Sequence, residues 1–80
     1  MSDYDLAVDF MDLTAERRLW TRIADARPGF VPIAGHHVIV GDLEADPAVA
    51  KILSVDADGI IELQVLPGTV ESHRDLLAQA

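Results

Sequence analysis

Hydrophobic and polar positions alternate most regularly in the second half of the chain. Ile61, Leu63 and Val65 alternate with polar residues, and this period of two places the apolar side chains on one face of a β-strand. Asp58-Gly59 precedes the run, and glycine readily adopts the positive φ that a tight chain reversal needs. The pattern predicts a β-hairpin, with strands over 49–55 and 60–66.

Residues 14–27 show a second pattern, which fits the period of an α-helix. At about 100° per residue, one half of the helical wheel is apolar. That half consists of Ala15, Leu19, Trp20, Ile23, Ala24 and Ala26. The Thr14 hydroxyl could cap the first turn, and Pro28-Gly29 would end the helix. We therefore expect an amphipathic helix that buries Trp20 against the sheet or against another subunit.

The other segments predict shorter elements. Residues 35–42 read as a short strand, and residues 30–33 as an edge strand or an extended lead-in, because Pro32 donates no amide hydrogen. After Pro67-Gly68, Thr69 could cap a short terminal helix.

These elements predict an α+β fold in which one amphipathic helix packs on a small, mostly antiparallel sheet. We divide the chain into an acidic N-terminal arm over residues 1–13 and a single small α+β domain over residues 14–80. The strands and corners of residues 35–70 resemble an SH3-like, partly open barrel, although the resemblance is generic. Fold analogy alone does not give a function.

Charge and composition restrict the function classes. The 80 residues include 14 acidic and 6 basic ones, a net charge of −8 that disfavours direct nucleic-acid binding. No cysteine is present, which excludes disulfides and thiolate zinc sites. No apolar stretch reaches membrane-spanning length, so we expect a cytoplasmic protein without a membrane partner. The abundance of Ala, Asp, Val and Arg favours a bacterial or phage origin.

Two patterns raise the question of metal or catalytic chemistry. Residues 54–62 resemble the start of an EF-hand loop, but Val65 stands where the bidentate glutamate belongs. His36 and His37 are adjacent on a predicted strand and would point to opposite faces, while His73 has no visible nucleophile partner. We interpret the loop as a hairpin turn and the histidines as surface residues. The sequence predicts no catalytic residue, metal site or cofactor.

Two charged sets are the candidate interaction residues. The basic set could pair internally, pair with another subunit or clamp an anion; it comprises Arg17, Arg18 and Arg22. The acidic set could form one negative patch, if its loops share an end of the sheet, or a solvated rim. The acidic set comprises Asp42, Glu44, Asp46, Asp56 and Asp58.

The leading functional hypothesis is a small acidic, non-enzymatic protein-interaction or regulatory module. Its partner would be a protein with a basic surface, and it could act as an inhibitor or a DNA mimic. The alternative is a small oligomeric enzyme or ligand-binding subunit, with a site at the interface of a homo-oligomer.

Overall fold

Five β-strands form a sheet in the computed structural model, which describes residues 4–42 and 47–77. The strands are β1 (Leu6–Ala7), β2 (Arg18–Arg22), β3 (His37–Gly41), β4 (Ala48–Val55) and β5 (Ile60–Val65). Their order across the sheet is β1-β3-β4-β5-β2, with β1 parallel to β3 and the other pairs antiparallel. Single 3₁₀ turns cover Phe10–Asp12, Ile23–Asp25 and Glu71–His73, and the short helix α1 covers Arg74–Leu77.

The predicted hairpin of β4 and β5 is confirmed. Ile61 and Leu63 are fully buried, and Gly59 has a φ of 82°. Asp56 stabilises the turn, because its Oδ1 accepts hydrogen bonds from the backbone amides of Asp58 at 2.9 Å and Ile60 at 3.0 Å. Asp56 therefore forms an Asx turn that stabilises the chain reversal.

A β-bulge interrupts the pairing of β4 with β5. The register shifts between Ile52 and Ser54, so that Leu53 is the extra residue. Without the bulge, Ser54 would share the inner face with Ile52. With it, Ser54 is exposed and Val55 packs against the core. The bulge thus keeps Ile52 and Val55, which belong to the two halves of β4, on the same side of the sheet.

The long amphipathic helix expected over residues 14–27 is absent, and the segment forms β2 and a 3₁₀ turn instead. Within β2, Leu19 and Thr21 are buried while Arg18, Trp20 and Arg22 are exposed. Only Leu19 of the expected apolar helical face is fully buried, and Trp20 is 50% exposed rather than packed on the sheet. Pairing with β5 satisfies the backbone of this segment and buries its alternate residues, which overrides the helical pattern.

The Thr14 hydroxyl accepts an amide hydrogen bond, but in a tight turn rather than a helix. Thr14 Oγ1 lies 3.0 Å from the Arg18 amide, and the Arg17 amide donates to the Thr14 carbonyl at 2.9 Å. Arg17 completes the reversal with a φ of 62°, the one positive value at a non-glycine residue in the described chain. That conformation costs about 1–2 kcal/mol for a residue with a side chain.

The two edges of the sheet meet at one end, which makes it a half-barrel. Leu6 of β1 forms an isolated bridge with Ala26, just beyond β2. The Thr21 hydroxyl donates to the Ala7 carbonyl at 2.7 Å, and Arg27 pairs with Asp5 at 2.7 Å. The concave side holds a core of Leu6, Val8, Leu19, Val38, Val40, Ala50, Ile52, Ile61, Leu63 and Val65. The described residues therefore form a small, sheet-dominated α+β structure with one short helix.

The C-terminal segment contacts the outer side of the sheet at β3. Thr69 Oγ1 accepts from the Ser72 amide at 3.1 Å and so stabilises the 3₁₀ turn that opens the segment, while the short helix itself begins only at Arg74. Val49, on the outer side of β4, is fully buried, and Ile39 is its cross-strand partner. The C-terminal segment thus lies along the β3 side of the outer face, whereas Lys51 and Ser54 of β4 are exposed. Within the described ranges, none of the helical segments has the length and apolarity needed to cross a membrane.

Candidate binding surfaces

The candidate arginines do not share a helix face. Arg18 and Arg22 lie on the exposed side of β2 with Trp20 between them. Alternate residues of a strand are about 6.5–7 Å apart, so the two arginines are spaced about 13 Å apart at their Cα atoms. Arg17 precedes the strand and its side chain takes a different direction, toward the carbonyls of Val65 and Leu66.

The strand register aligns polar residues in rows on the outer side of the sheet. Residues directly opposite each other on adjacent strands project from the same face. The first row runs across four strands through His37, Lys51, Gln64 and Arg18. The second row joins Ser54, Glu62 and Trp20, and the third pairs Ile60 with Arg22. We call this surface the outer basic face.

This face concentrates positive charge on a strongly acidic protein. Arg18, Arg22 and Lys51 are half of the six basic residues, and Glu62 is the acidic residue of the three rows. Arg18 pairs with Glu62 at 3.3 Å, with both side chains partly solvated. Arg22 and Lys51 form no ion pair within the described part of the chain. Two cations therefore remain available on the same face as a half-exposed tryptophan.

The acidic candidates do not converge on one patch among the described residues. Asp42 follows the end of β3, whereas Asp56 and Asp58 lie in the turn that follows β4. Because β3 and β4 are antiparallel, these two strand ends lie at opposite ends of the sheet, about 20–25 Å apart for a strand as long as β4. Glu44 and Asp46 fall outside the described residues.

A groove of about 630 Å³ opens at one end of the half-barrel. Four parts of the chain supply its mainly apolar walls: the 3₁₀ turn and loop before β2, Ile39 of β3, the start of β4, and the segment from the end of β5 onward. The apolar lining includes Phe10, Leu13, Ile39, Pro47, Ala48 and Val70. Arg17 also lines the groove, and its side chain is half-buried.

The guanidinium of Arg17 is held by neutral groups. Nε donates to the carbonyl of Val65 at 3.1 Å, and one terminal nitrogen lies 3.5 Å from the carbonyl of Leu66. No carboxylate of the described chain forms an ion pair with Arg17. Glu71 lines the same groove, but its carboxylate pairs with Arg74. The charge at this end of the groove is therefore uncompensated among the described side chains.

The adjacent His36 and His37 line one cavity, whereas His73 contacts a different part of the chain. His36 and His37 border a smaller cavity of about 240 Å³ beside Arg27 and Phe30, and the Arg27 guanidinium lies over the Phe30 ring at 5.3 Å. His73 Nε2 donates to the Pro67 carbonyl at 2.5 Å. The residues that the structure describes contain no cluster of three or more His, Asp or Glu side chains suited to a metal ion.

The sequence analysis did not predict that two residues of these surfaces are candidates for binding. Trp20 was expected to be buried, and Lys51 was not considered. The strict alternation of Arg18, Trp20 and Arg22 is the signal that could have placed Trp20 on an exposed strand face.

Comparison of the chain with protein-family models, with curated proteins and with solved structures found no match.

Proposed function

We propose that this protein is a non-enzymatic binding module that uses the outer basic face to bind an acidic segment of another protein. The observation that carries the proposal is the exposed Trp20 between Arg18 and Arg22, with Lys51 two strands away. Tryptophan and arginine are enriched at the energetic centres of protein interfaces, where a rigid apolar surface combines with directed hydrogen bonds.

The distribution of charge supports an acidic partner rather than the basic partner expected from the net charge. Arg22 and Lys51 lack ion-pair partners in the described chain, so they can each meet a carboxylate without breaking an existing bridge. The acidic residues Asp42 and Asp56 lie at opposite ends of the sheet, which weakens the hypothesis of a continuous DNA-mimicking surface. The surrounding acidic surface would repel a long nucleic acid.

The closure of the two sheet edges supports a further proposal, that the half-barrel is an SH3-like barrel. Thr21 and Ala26 join β2 and its continuation to β1, as a closed barrel requires. A barrel wall of this kind is a rigid platform on which exposed side chains can be presented. It supports a role for the outer basic face in recognition.

Titration with designed peptides tests the proposed function. In an extended peptide that alternates glutamate and valine, carboxylates repeat about every 6.5–7 Å on one side, which matches the spacing along β2. The probe is such a peptide, with a lysine–valine peptide of equal length as control. Trp20 is the sole tryptophan, so its fluorescence reports directly on this face. We expect the acidic peptide to change the emission and to bind more weakly as salt rises.

Removal of two positive charges from the outer basic face tests whether the acidic peptide binds there. The double variant Arg22→Gln/Lys51→Gln should weaken binding of the acidic peptide by at least about tenfold, because hydrogen bonds to charged groups contribute about 1.5–3 kcal/mol each. Arg74→Gln is the matched control, since Arg74 lies on the C-terminal segment and pairs with Glu71. Equal binding of the lysine peptide, or no effect of the double variant, would refute the proposal.

A further inference from the structure

The groove at the end of the half-barrel combines features of a small-molecule site. Its volume of about 630 Å³ lies within the range of about 300–1,000 Å³ that is typical of ligand pockets. Its walls are mainly apolar, and Arg17 supplies a cation whose charge no carboxylate of the described chain balances. A half-buried charge without a counter-ion is costly, and a bound anion would remove that cost.

The backbone of Arg17 is a second, independent observation. Its φ of 62° is unfavourable for any residue except glycine, asparagine or aspartate, and such strain concentrates at functional positions. The strained conformation directs the side chain across the Val65 and Leu66 carbonyls at the groove. These two contacts occupy Nε and one terminal nitrogen. The second terminal nitrogen has N–H groups that can donate hydrogen bonds to the carboxylate of a ligand.

We infer that the groove binds a small carboxylic acid with an apolar body, the carboxylate on Arg17 and the hydrocarbon against Phe10, Leu13 and Val70. Arg17 is the one cation without an ion pair among the described residues that line the groove, which favours a ligand with a single negative charge. The carboxylate of Glu71, already paired with Arg74, would repel a second negative charge. A peptide fits less well, because its backbone amides and carbonyls would face apolar walls that offer few hydrogen-bond partners.

Three eight-carbon probes separate the charge from the hydrocarbon. Octanoate, octanol and octylamine share the apolar chain but carry a negative charge, no charge and a positive charge. We expect octanoate to bind the full chain at least about tenfold more tightly than octanol in calorimetric titrations, because only it forms charge-assisted hydrogen bonds with Arg17. Amide chemical-shift changes should centre on residues 10–17 and 65–71. Octylamine should bind most weakly.

Substitutions test whether Arg17 causes the preference for octanoate over octanol. Arg17→Gln should abolish the preference for octanoate over octanol, while Arg27→Gln, which alters an arginine outside the groove, should retain it. Val70→Trp fills the groove and leaves Arg17 in place, so it should weaken both probes. Equal binding of octanoate and octanol by the unsubstituted protein would overturn the inference. Shift changes centred on the outer basic face, or an unchanged octanoate preference in Arg17→Gln, would overturn it as well. Since this site is separate from the outer basic face, either proposal can fail alone.

Discussion

Replacing Thr21 with valine removes the hydroxyl that links the two edges of the half-barrel. Thr21 is 7% exposed, and its Oγ1 donates to the Ala7 carbonyl at 2.7 Å. Valine keeps the branched shape and the strand preference of threonine, so the change removes only the contacts of the hydroxyl, of which the second is a long one of 3.5 Å to Asp25 Oδ2. The Ala7 carbonyl then loses this donor in a place where an apolar methyl group excludes water.

The expected cost follows from the desolvation of that carbonyl. Leaving a buried acceptor without its partner costs about 1–3 kcal/mol, and the half-buried position of Ala7 favours the lower part of that range. In a domain of this size, 1 kcal/mol lowers the melting temperature by about 4–8 °C. Urea denaturation followed by far-UV circular dichroism measures the change in free energy of unfolding.

A local measurement distinguishes edge opening from a general loss of stability. The Arg27 amide donates to the Asp5 carbonyl at 2.9 Å, across the same junction. Thr21→Val should speed hydrogen exchange of this amide more than that of amides in the β4–β5 hairpin. Thr21→Ser keeps the hydroxyl and should preserve Arg27 protection, although it loses about 0.8 kcal/mol of methyl burial. Unchanged stability and unchanged Arg27 exchange in Thr21→Val would refute the role of the hydroxyl.

Three further predictions follow from the packing. Gly59→Val should cost at least about 1–2 kcal/mol in urea denaturation because of the φ of 82°, whereas Gly59→Asn should cost less. Trp20→Ala should cost only about 1–2 kcal/mol, against about 2–5 kcal/mol for the fully buried Leu63→Ala, and a larger loss for Trp20 would contradict its exposure. Gly41→Ala would place a Cβ 2.6 Å from Tyr4 Cδ1, so thermal melts should show a loss of about 1–3 kcal/mol that the Tyr4→Ala/Gly41→Ala double variant relieves.

The hairpin was predictable because two local signals agree. Ile61, Leu63 and Val65 alternate with polar residues, and Asp58-Gly59 supports the reversal without help from distant parts of the chain. Both the pairing and the burial of this face follow from residues within one short segment. Such consistency between turn chemistry and period is the strongest information that a single sequence carries.

The segment of β2 was mispredicted because its residues satisfy two periods at once. Leu19 and Ile23 suit a helix face, while Leu19 and Thr21 suit a strand face. The segment forms a strand because it pairs with β5, whose Leu63 and Ile61 lie opposite Leu19 and Thr21. That partner is far away in the sequence, so the local pattern could not reveal it.

The surfaces were harder to predict than the fold. Lys51 and Ser54 are three residues apart yet share the outer face, and only the bulge at Leu53 makes this possible. The groove around Arg17 joins four separate parts of the chain, so no local motif marks it. The sequence did single out Arg17 and Arg18. It could not show that a turn between them sends one side chain to the groove and the other to the outer basic face.

The strand order also determines how the chain can fold as it leaves the ribosome. β1 and β2 are synthesised first, yet they occupy the two edges of a sheet whose centre is β3, β4 and β5. Leu19 meets its cross-strand partner Leu63 only after β3, β4 and part of β5 have been translated. The nascent N-terminal segments therefore carry exposed apolar side chains until the β4–β5 hairpin forms. Pairings so distant in sequence slow the search for the native topology and lengthen the period in which a chaperone can bind.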